Sequence, residues 1–248
     1  MTTNAIDRKQ LVIASDSRWS YVENGYLIYV DDVDFDKIVW RQSGAMICAG
    51  SGVLIDAWRS WFLAPMPSLN APPTEFLKPN GETESLMVTV FQARTGAVLF
   101  SCGWYLPFDD VAYFAGTGAE HAHRCFSNNR CAKRAVQSAA QDDPCTGGAT
   151  KFVELVSGTH NLSPVQKSLN DIVDVLLTKG KAMNLTTKNV VSFAEYAAAP
   201  GQASGARPSA SNLSAPTGQV FRQWTDEDKK RLVDAVRTMV VDEEQAND

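Results

Sequence analysis

The sequence predicts an α+β fold, a four-layer αββα sandwich with a C-terminal extension. Runs typical of antiparallel strands come in groups, and the two strongest helical patterns, at 53–63 and 119–141, lie between those groups. The 248 residues, with 44% apolar content, suffice for one large core. This order fits two sheets packed between helix layers, and it does not fit the regular strand-helix alternation of a doubly wound fold.

The first strands are predicted between residues 10 and 30. The apolar run at 10–14 suits a central strand and ends at Asp16, which places a carboxylate at a strand end. Residues 21–30 are aromatic and β-branched around Asn24-Gly25, which is a hairpin signal. Asp16 is therefore a candidate site residue at the end of this strand.

A cluster of acidic residues follows this hairpin. It allows two interpretations, a cation site or a solvated acidic turn. Calcium is not favoured, because the Gly and the closing Glu that an EF-hand loop requires are missing. The cluster consists of Asp31, Asp32, Asp34 and Asp36.

Lys37 comes directly after the acidic cluster. A lysine between Asp36 and Ile38 is usually exposed. By strand alternation, however, Lys37 shares a face with two large apolar residues, Phe35 and Val39, so that face is the one we expect to be buried. A buried ammonium needs a carboxylate partner, and Asp16 is our candidate.

A glycine-rich turn links the next strand to the first helix. The strand is expected at 45–49 and the helix at 53–63, with Gly50-Ser51-Gly52 between them. Free amides at a helix start can hold an oxyanion, although an ordinary strand-to-helix turn has the same pattern.

The middle of the chain continues with a loop, three strands, a long helix and a fourth strand. Residues 65–83 are rich in proline and are predicted to form a loop. Arg94-Thr95-Gly96 is the expected turn of a hairpin, and 119–141 has the apolar stripe of one helix. The expected strands lie at 85–90, 97–102, 111–115 and 151–156.

Three segments are predicted along the chain: a main domain at 1–198, a flexible Ala/Ser/Gly/Pro linker at 199–220, and an amphipathic helix with a tail at 221–248. Helices are expected at 163–178 and 187–197 within the main domain. Thr225 is the expected N-cap of the last helix. Its apolar stripe has to be buried on its own domain or on a neighbouring subunit, and we expect the neighbour.

Composition restricts the partners and the compartment. A net charge of −5 argues against nucleic acid or an anionic membrane as the main partner. No apolar run approaches the roughly 18 to 20 residues that cross a bilayer, and the polar start lacks a signal-peptide core, so a cytoplasmic location is expected. Five scattered cysteines are unlike a disulfide framework and are expected to be reduced.

No metal or other cofactor is expected. His121 and His123 lie near Cys125 and Cys131, but their spacing matches no zinc pattern. Polar helix positions are the ordinary alternative for these side chains.

The first residues carry the chemistry of a nucleophile with its own base. Removal of Met1 would leave Thr2 with a free α-amine and a hydroxyl. An α-amine titrates near ~7.7 to 8.0, so a useful fraction can accept the hydroxyl proton at neutral pH. Such a residue also needs a nearby cation, a carboxylate and oxyanion donors.

The required residues occur in order along the chain. Thr2, Asp16 and Lys37 are followed by Gly50-Ser51-Gly52, by Gly116-Thr117-Gly118, and by Asp143-Pro144-Cys145-Thr146-Gly147-Gly148. From Thr2 to about residue 155, this set resembles the proteasome β-subunit family, including HslV-like peptidases. The family consists of N-terminal-nucleophile (Ntn) hydrolases built as αββα sandwiches.

The resemblance implies a role for each matching residue. Thr2 would be the nucleophile, Asp16 and Lys37 the charge pair beside it, and the Gly50 amide an oxyanion donor. Thr117, Asp143 and Thr146 would close the network around the amine. Phe35 and Cys48 would line the substrate pocket.

The chain departs from the family in three places. Residues 4–9 are more polar than the family's first strand, Thr stands for Ser at 117 and 146, and the proline-rich loop replaces most of an outer helix.

The sequence therefore favours a threonine endopeptidase acting on peptides or unfolded proteins. By resemblance it would form homo-oligomeric rings, with an ATPase unfoldase as a possible partner. The chain itself has no P-loop. The alternative is a catalytically inactive assembly subunit that binds a partner through its C-terminal helix.

Overall fold

A computed structural model of the chain describes residues 2–78, 81–103, 105–165, 167–199, 207–215, 217 and 224–245. The predicted α+β class is confirmed, with two antiparallel sheets and helices packed on both. The helices are α1 Gly52–Leu63, α2 Ala119–Asn129, α3 Ala132–Asp142, α4 Leu169–Lys179, α5 Phe193–Ala198 and α6 Asp226–Gln245. The strands are β1 Thr3–Asp7, β2 Val12–Ser15, β3 Trp19–Glu23, β4 Tyr26–Val30, β5 Ile38–Arg41, β6 Gly44–Ser51, β7 Glu75–Leu77, β8 Thr83–Gln92, β9 Val98–Cys102, β10 Leu106–Phe108, β11 Ala112–Gly116, β12 Lys151–Glu154, β13 Lys181–Asn184, β14 Val190–Ser192 and β15 Ser214–Ala215.

The smaller sheet has the order β10-β11-β1-β2-β12, so the first strand of the chain is its central strand. All five residues of β1 are buried. This strand is not predicted from the sequence, because its side chains are too polar. Those side chains are satisfied by local partners: Asn4 donates to the Cys48 carbonyl oxygen, and the Asp7 carboxylate accepts from the amides of Lys9 and Gln10.

The larger sheet has the order β14-β13-β4-β3-β15-β6-β8-β7, with β5 also on β6 and β9 also on β8. An apolar cluster that includes Ile6 and Ile13 of the smaller sheet with Ile47 and Phe91 of the larger one lies between the two sheets. A second cluster joins the smaller sheet to α2 and α3. A third joins the larger sheet to α1, α4, α5 and α6.

Several predicted elements differ from the observed ones. The helix expected at 119–141 is two helices, because Arg130 adopts a left-handed conformation (φ 53°) that ends α2. The helix expected at 163–178 begins only at Leu169, after a capping box formed by Ser168 and Asp171. The helix expected at 187–197 is mostly wrong: β14 precedes α5 there. β7 lies inside the expected loop at 65–83, and β13 was not predicted.

The C-terminal part of the chain packs on its own domain. Residues 207–215 lie within the predicted linker, yet they contain a 3₁₀ turn and the buried strand β15. Residues 200–206, 216 and 218–220 of that linker lie outside the described residues. Thr225 caps α6 as predicted, through its hydrogen bond with the Asp228 amide. The stripe of α6 is buried in the chain's own core, whereas we expected a neighbouring subunit to cover it; its members are Leu232, Val233, Val236, Met239 and Val240.

None of the helices in the described chain combines the length and the apolar composition of a membrane span.

Candidate active site

Three predicted site residues meet at the start of the chain. The ammonium nitrogen of Lys37 lies 2.9 Å from the Thr2 hydroxyl oxygen and 2.8 Å from Asp16 Oδ1. The Thr2 hydroxyl donates to the same Asp16 oxygen at 2.5 Å. All three are buried, with at most 2% of each residue exposed. A hydroxyl group is thus held between a buried cation and a buried carboxylate.

Backbone groups fix the Asp16 carboxylate. Oδ1 also accepts from the Thr3 amide at 2.9 Å, while Oδ2 accepts from the amides of Arg18 and Gly147, each at 3.2 Å. Asp16 follows β2, and its own amide donates to the Thr3 carbonyl oxygen. Five hydrogen bonds, with those from Thr2 and Lys37, leave this carboxylate little freedom to turn.

Lys37 lies just before β5, where the Cys48 amide of β6 donates to its carbonyl oxygen at 2.9 Å. Burial lowers the pKa of its ammonium group, and the neighbouring Asp16 carboxylate opposes that shift. The Trp19 ring, 5.7 Å from the nitrogen, contributes a further favourable contact. The site therefore holds an ammonium group that can release its proton more readily than an exposed lysine.

A second network contains the other predicted polar residues. The hydroxyls of Thr117 and Thr146 both donate to Asp143 Oδ2, at 2.6 and 2.7 Å. Thr146 Oγ1 lies 2.6 Å from Thr3 Oγ1. Since the Thr3 amide also donates to Asp16, Thr3 connects the two networks. The sequence analysis missed Thr3; the alternation of side chains in a strand could have shown that Thr2 and Thr3 face different partners.

Two glycines allow the backbone to come close to this site. Gly116 has a φ of +91°, and a Cβ atom there would lie 2.0 Å from the Thr2 carbonyl oxygen. A Cβ atom on Gly118 would lie 2.0 Å from Thr3 Oγ1. Both contacts are shorter than real Cβ atoms allow, so any other residue would push the terminal strand away.

The remaining predicted residues make no direct contact with Thr2 among the contacts described. Gly50 has a φ of +125° and lies opposite Leu86 on β8 and Ala215 on β15. Phe35 and Cys48 are buried in the core of the larger sheet. Burial raises the pKa of the Cys48 thiol to about 12.

Comparisons with known proteins include a distant structural similarity. It is to the solved structure of Thiobacillus denitrificans BPH in complex with epoxomicin, at 16% identity and a TM-score of 0.39. The alignment covers 62% of this chain and 99% of that one. No protein-family model matches the sequence, and no curated protein matches it.

The acidic cluster serves as a set of hydrogen-bond acceptors. Asp31 binds Arg18 through two bonds of 2.8 and 2.9 Å, and Arg18 donates to the Pro144 carbonyl oxygen. Asp32 accepts from Ser17 and from the Ala149 amide. The cluster thus ties the segment after Asp16 to the loop that carries Asp143 and Thr146. This role for Arg18 was also missed.

The two histidines of α2 lie away from this site. His123 packs against the rings of Phe108 and Phe114, and His121 lies 3.3 Å from Asp142. Within the described part of the chain, no group of three or more potential metal ligands was found.

Proposed function

We propose that this chain is a threonine-type peptidase whose nucleophile is Thr2, exposed by removal of Met1. Met1 lies outside the described residues. The observation that carries the proposal is the Lys37 ammonium group in hydrogen-bond contact with both the Thr2 hydroxyl and the Asp16 carboxylate, in a fully buried setting. The Thr2 hydroxyl, which would lie beside a free terminal amine, is therefore in contact with a carboxylate that can orient it and with a cation.

The reaction begins with attack of the Thr2 hydroxyl oxygen on a peptide carbonyl carbon. Its proton passes to the Thr2 amine, directly or through a water molecule, and then to the leaving amine of the substrate. Lys37 keeps the terminal amine neutral by like-charge repulsion and stabilises the developing alkoxide. Asp16 holds Lys37 and the hydroxyl in place. Water then cleaves the resulting ester and restores Thr2.

The Gly50 amide would hold the oxyanion of the tetrahedral intermediate. Gly50 lies near the end of β6, two residues before the start of α1, and amides at the start of a helix can bind an oxyanion. Loss of such a donor typically costs on the order of 10² to 10³ in rate. Phe35 and Cys48 would line the pocket for an apolar substrate side chain.

The fold and assembly belong to the same proposal. The apolar clusters between the two sheets and on their outer faces support a four-layer αββα sandwich of the Ntn hydrolase kind. We expect self-assembly into homo-oligomeric rings that enclose the sites, a cytoplasmic location, and peptides or unfolded proteins as substrates. An ATPase unfoldase would be the partner that delivers folded proteins to such a chamber.

The inactive assembly subunit is not favoured. That function needs the apolar stripe of α6 for a partner, and the stripe is buried against the chain's own sheet. The Arg41 guanidinium also binds Glu243 of this helix at 2.8 Å.

The test is the intact mass of the purified protein before and after treatment with a threonine-directed epoxyketone. We expect a mass lower by one methionine and a covalent adduct that is lost in Thr2→Ala. Thr186→Ala, at an exposed threonine, is the matched control and should keep the adduct. Retained Met1 with no adduct would favour the inactive subunit.

A further inference from the structure

The larger sheet contains a gap that the C-terminal part of the chain fills. β3 pairs with β4 on one edge, and β6 pairs with β8 on one edge. Among the described strands, β15 is the one that joins their facing edges, by pairing with Ser20 of β3 and with Gly50 and Ser51 of β6. Without β15, the two strands would border a slot for one extended chain, with free amides and carbonyls on both sides.

This slot lies beside the candidate active site. β5 pairs with the same edge of β6 as far as the bond between Cys48 and Lys37, and β15 takes over that edge at Gly50. On the other side, β3 begins at Trp19, three residues after Asp16. The segments that carry Lys37 and Asp16 therefore lead directly into the walls of the slot.

The hydrogen-bonding pattern between residues 213–215 and β6 determines which main-chain groups of the two segments face each other. The Gly52 amide at the start of α1 donates to the Leu213 carbonyl oxygen at 2.9 Å. In an antiparallel ladder, hydrogen-bonded pairs recur every second residue, so the Gly50 amide faces Ala215, its partner in the register. Gly50 is the donor proposed for the oxyanion. The tail thus presents a main-chain group where the carbonyl of a substrate would lie.

The side chains of the segment fit the same position. Leu213 and Ala215 are fully buried, in the apolar cluster that contains Phe35 and Cys48, the expected pocket residues. Ser214 donates from its hydroxyl to the Ser20 carbonyl oxygen at 3.3 Å. The segment is uncharged and extended, like a peptide bound by strand addition.

We infer that residues 213–215 form a built-in pseudosubstrate strand, which holds the peptide-binding slot closed until it is displaced; this inference rests on the proposed peptidase function. The strand is tethered on both sides, to α5 and to the docked helix α6. A tethered segment competes at an effective concentration of about millimolar, so dilute peptides enter poorly while it stays in place. Only two residues pair in the sheet, so displacement breaks few hydrogen bonds.

The experiment uses the full chain and the substitution Leu213→Asp, which puts a carboxylate where the buried leucine holds the strand. Leu69→Asp, at a leucine that is 72% exposed, is the matched control. The first measurement is the rate of cleavage of a fluorogenic peptide. We expect at least a tenfold increase for Leu213→Asp and none for Leu69→Asp.

The second measurement does not depend on hydrolysis. In the Thr2→Ala background, a fluorescent peptide with the sequence of residues 209–217 should bind the protein that also carries Leu213→Asp at least tenfold more tightly than the protein with the unchanged tail. If the peptide binds in this way but the Leu213→Asp variant with Thr2 intact cleaves no peptide, the slot is upheld and the proposed peptidase function is refuted. Equal binding to both proteins would overturn the pseudosubstrate strand.

Circular dichroism and thermal unfolding show whether each variant is folded. Ser214→Pro is the second variant; it keeps Leu213 but removes an amide from the middle of the sheet. It should raise cleavage and binding in the same direction. Failure of both variants to fold would assign the segment a structural role and also overturn the inference.

Discussion

Replacement of Lys37 by Met tests the buried charge pair directly. The substitution removes the ammonium group and leaves Asp16 buried without a cation. Removal of one partner of a buried pair typically costs about 3 to 5 kcal/mol. Asp16 keeps its bonds from the Thr2 hydroxyl and three amides, so we expect the lower end, about 3 kcal/mol. At about 2 to 4 °C per kcal/mol for a chain of this size, the melting temperature should fall by roughly 6 to 12 °C.

The same variant should lose peptide hydrolysis by at least about 10²-fold, because the alkoxide loses its cation. Size-exclusion chromatography should show unchanged assembly. Lys133→Met is the matched control: Lys133 lies 2.8 Å from Glu154 in a pair that is about a third exposed, and it should cost less than about 1 kcal/mol. Equal losses of stability for the two lysines, or full activity without Lys37, would refute the reasoning.

The pH dependence of stability gives an independent reading of Lys37. Its pKa is lowered in the folded chain and takes the ordinary value of 10.5 when unfolded. Between these two values the unfolded state binds more protons, so the stability of the native protein rises with pH through that window. The Lys37→Met variant lacks this contribution. The difference in unfolding free energy between native protein and variant should therefore grow as the pH rises towards 10.5. A constant difference would mean that the pKa is not lowered.

Two further predictions test close approach and burial around the site. Gly116→Ala should lower the free energy of unfolding, measured in urea, by more than about 3 kcal/mol and abolish the epoxyketone adduct, because its Cβ would meet the Thr2 carbonyl oxygen. The control is Gly81→Ala, which has a φ of +86° but open space around it and should cost only about 1 kcal/mol. An alkylating reagent should modify the partly exposed Cys131 at least about tenfold faster than Cys48, whose pKa is raised to about 12 by burial, as followed by mass spectrometry. Equal rates of modification in the native protein would contradict the burial of Cys48.

The positions of many strands along the chain could be predicted from the sequence, because period-two alternation and turn residues are local signals. Asn24 and Gly25 both adopt positive φ in the hairpin between β3 and β4, as their residue types predict. Lys37 is buried together with Phe35 and Val39, as expected, each less than 5% exposed. Alternation does not explain this burial, because Asp36 and Ile38 are buried as well and β5 begins only at Ile38. The hairpin turn needed only neighbours in the sequence, whereas the burial of Lys37 depends on its contacts with Thr2 and Asp16.

The missed elements depend on partners far away in the chain. β1 is polar, and its burial is satisfied by contacts such as that from Asn4 to Cys48. β15 has only two residues, so no periodicity exists to find it. The break at Arg130 requires a left-handed residue that does not need to be glycine. Thr3 connects the two networks only because β11 and the loop after α3 converge there.

The central position of β1 bears on how firmly the candidate nucleophile is held. Paired on one side with β2 and on the other with β11, this strand cannot fray as an ordinary terminus does, and Thr2 is wholly shielded from solvent. Under the proposed function the nucleophile directly precedes the central strand of a sheet, so any loosening of β1 would carry the Thr2 hydroxyl away from Lys37 and Asp16.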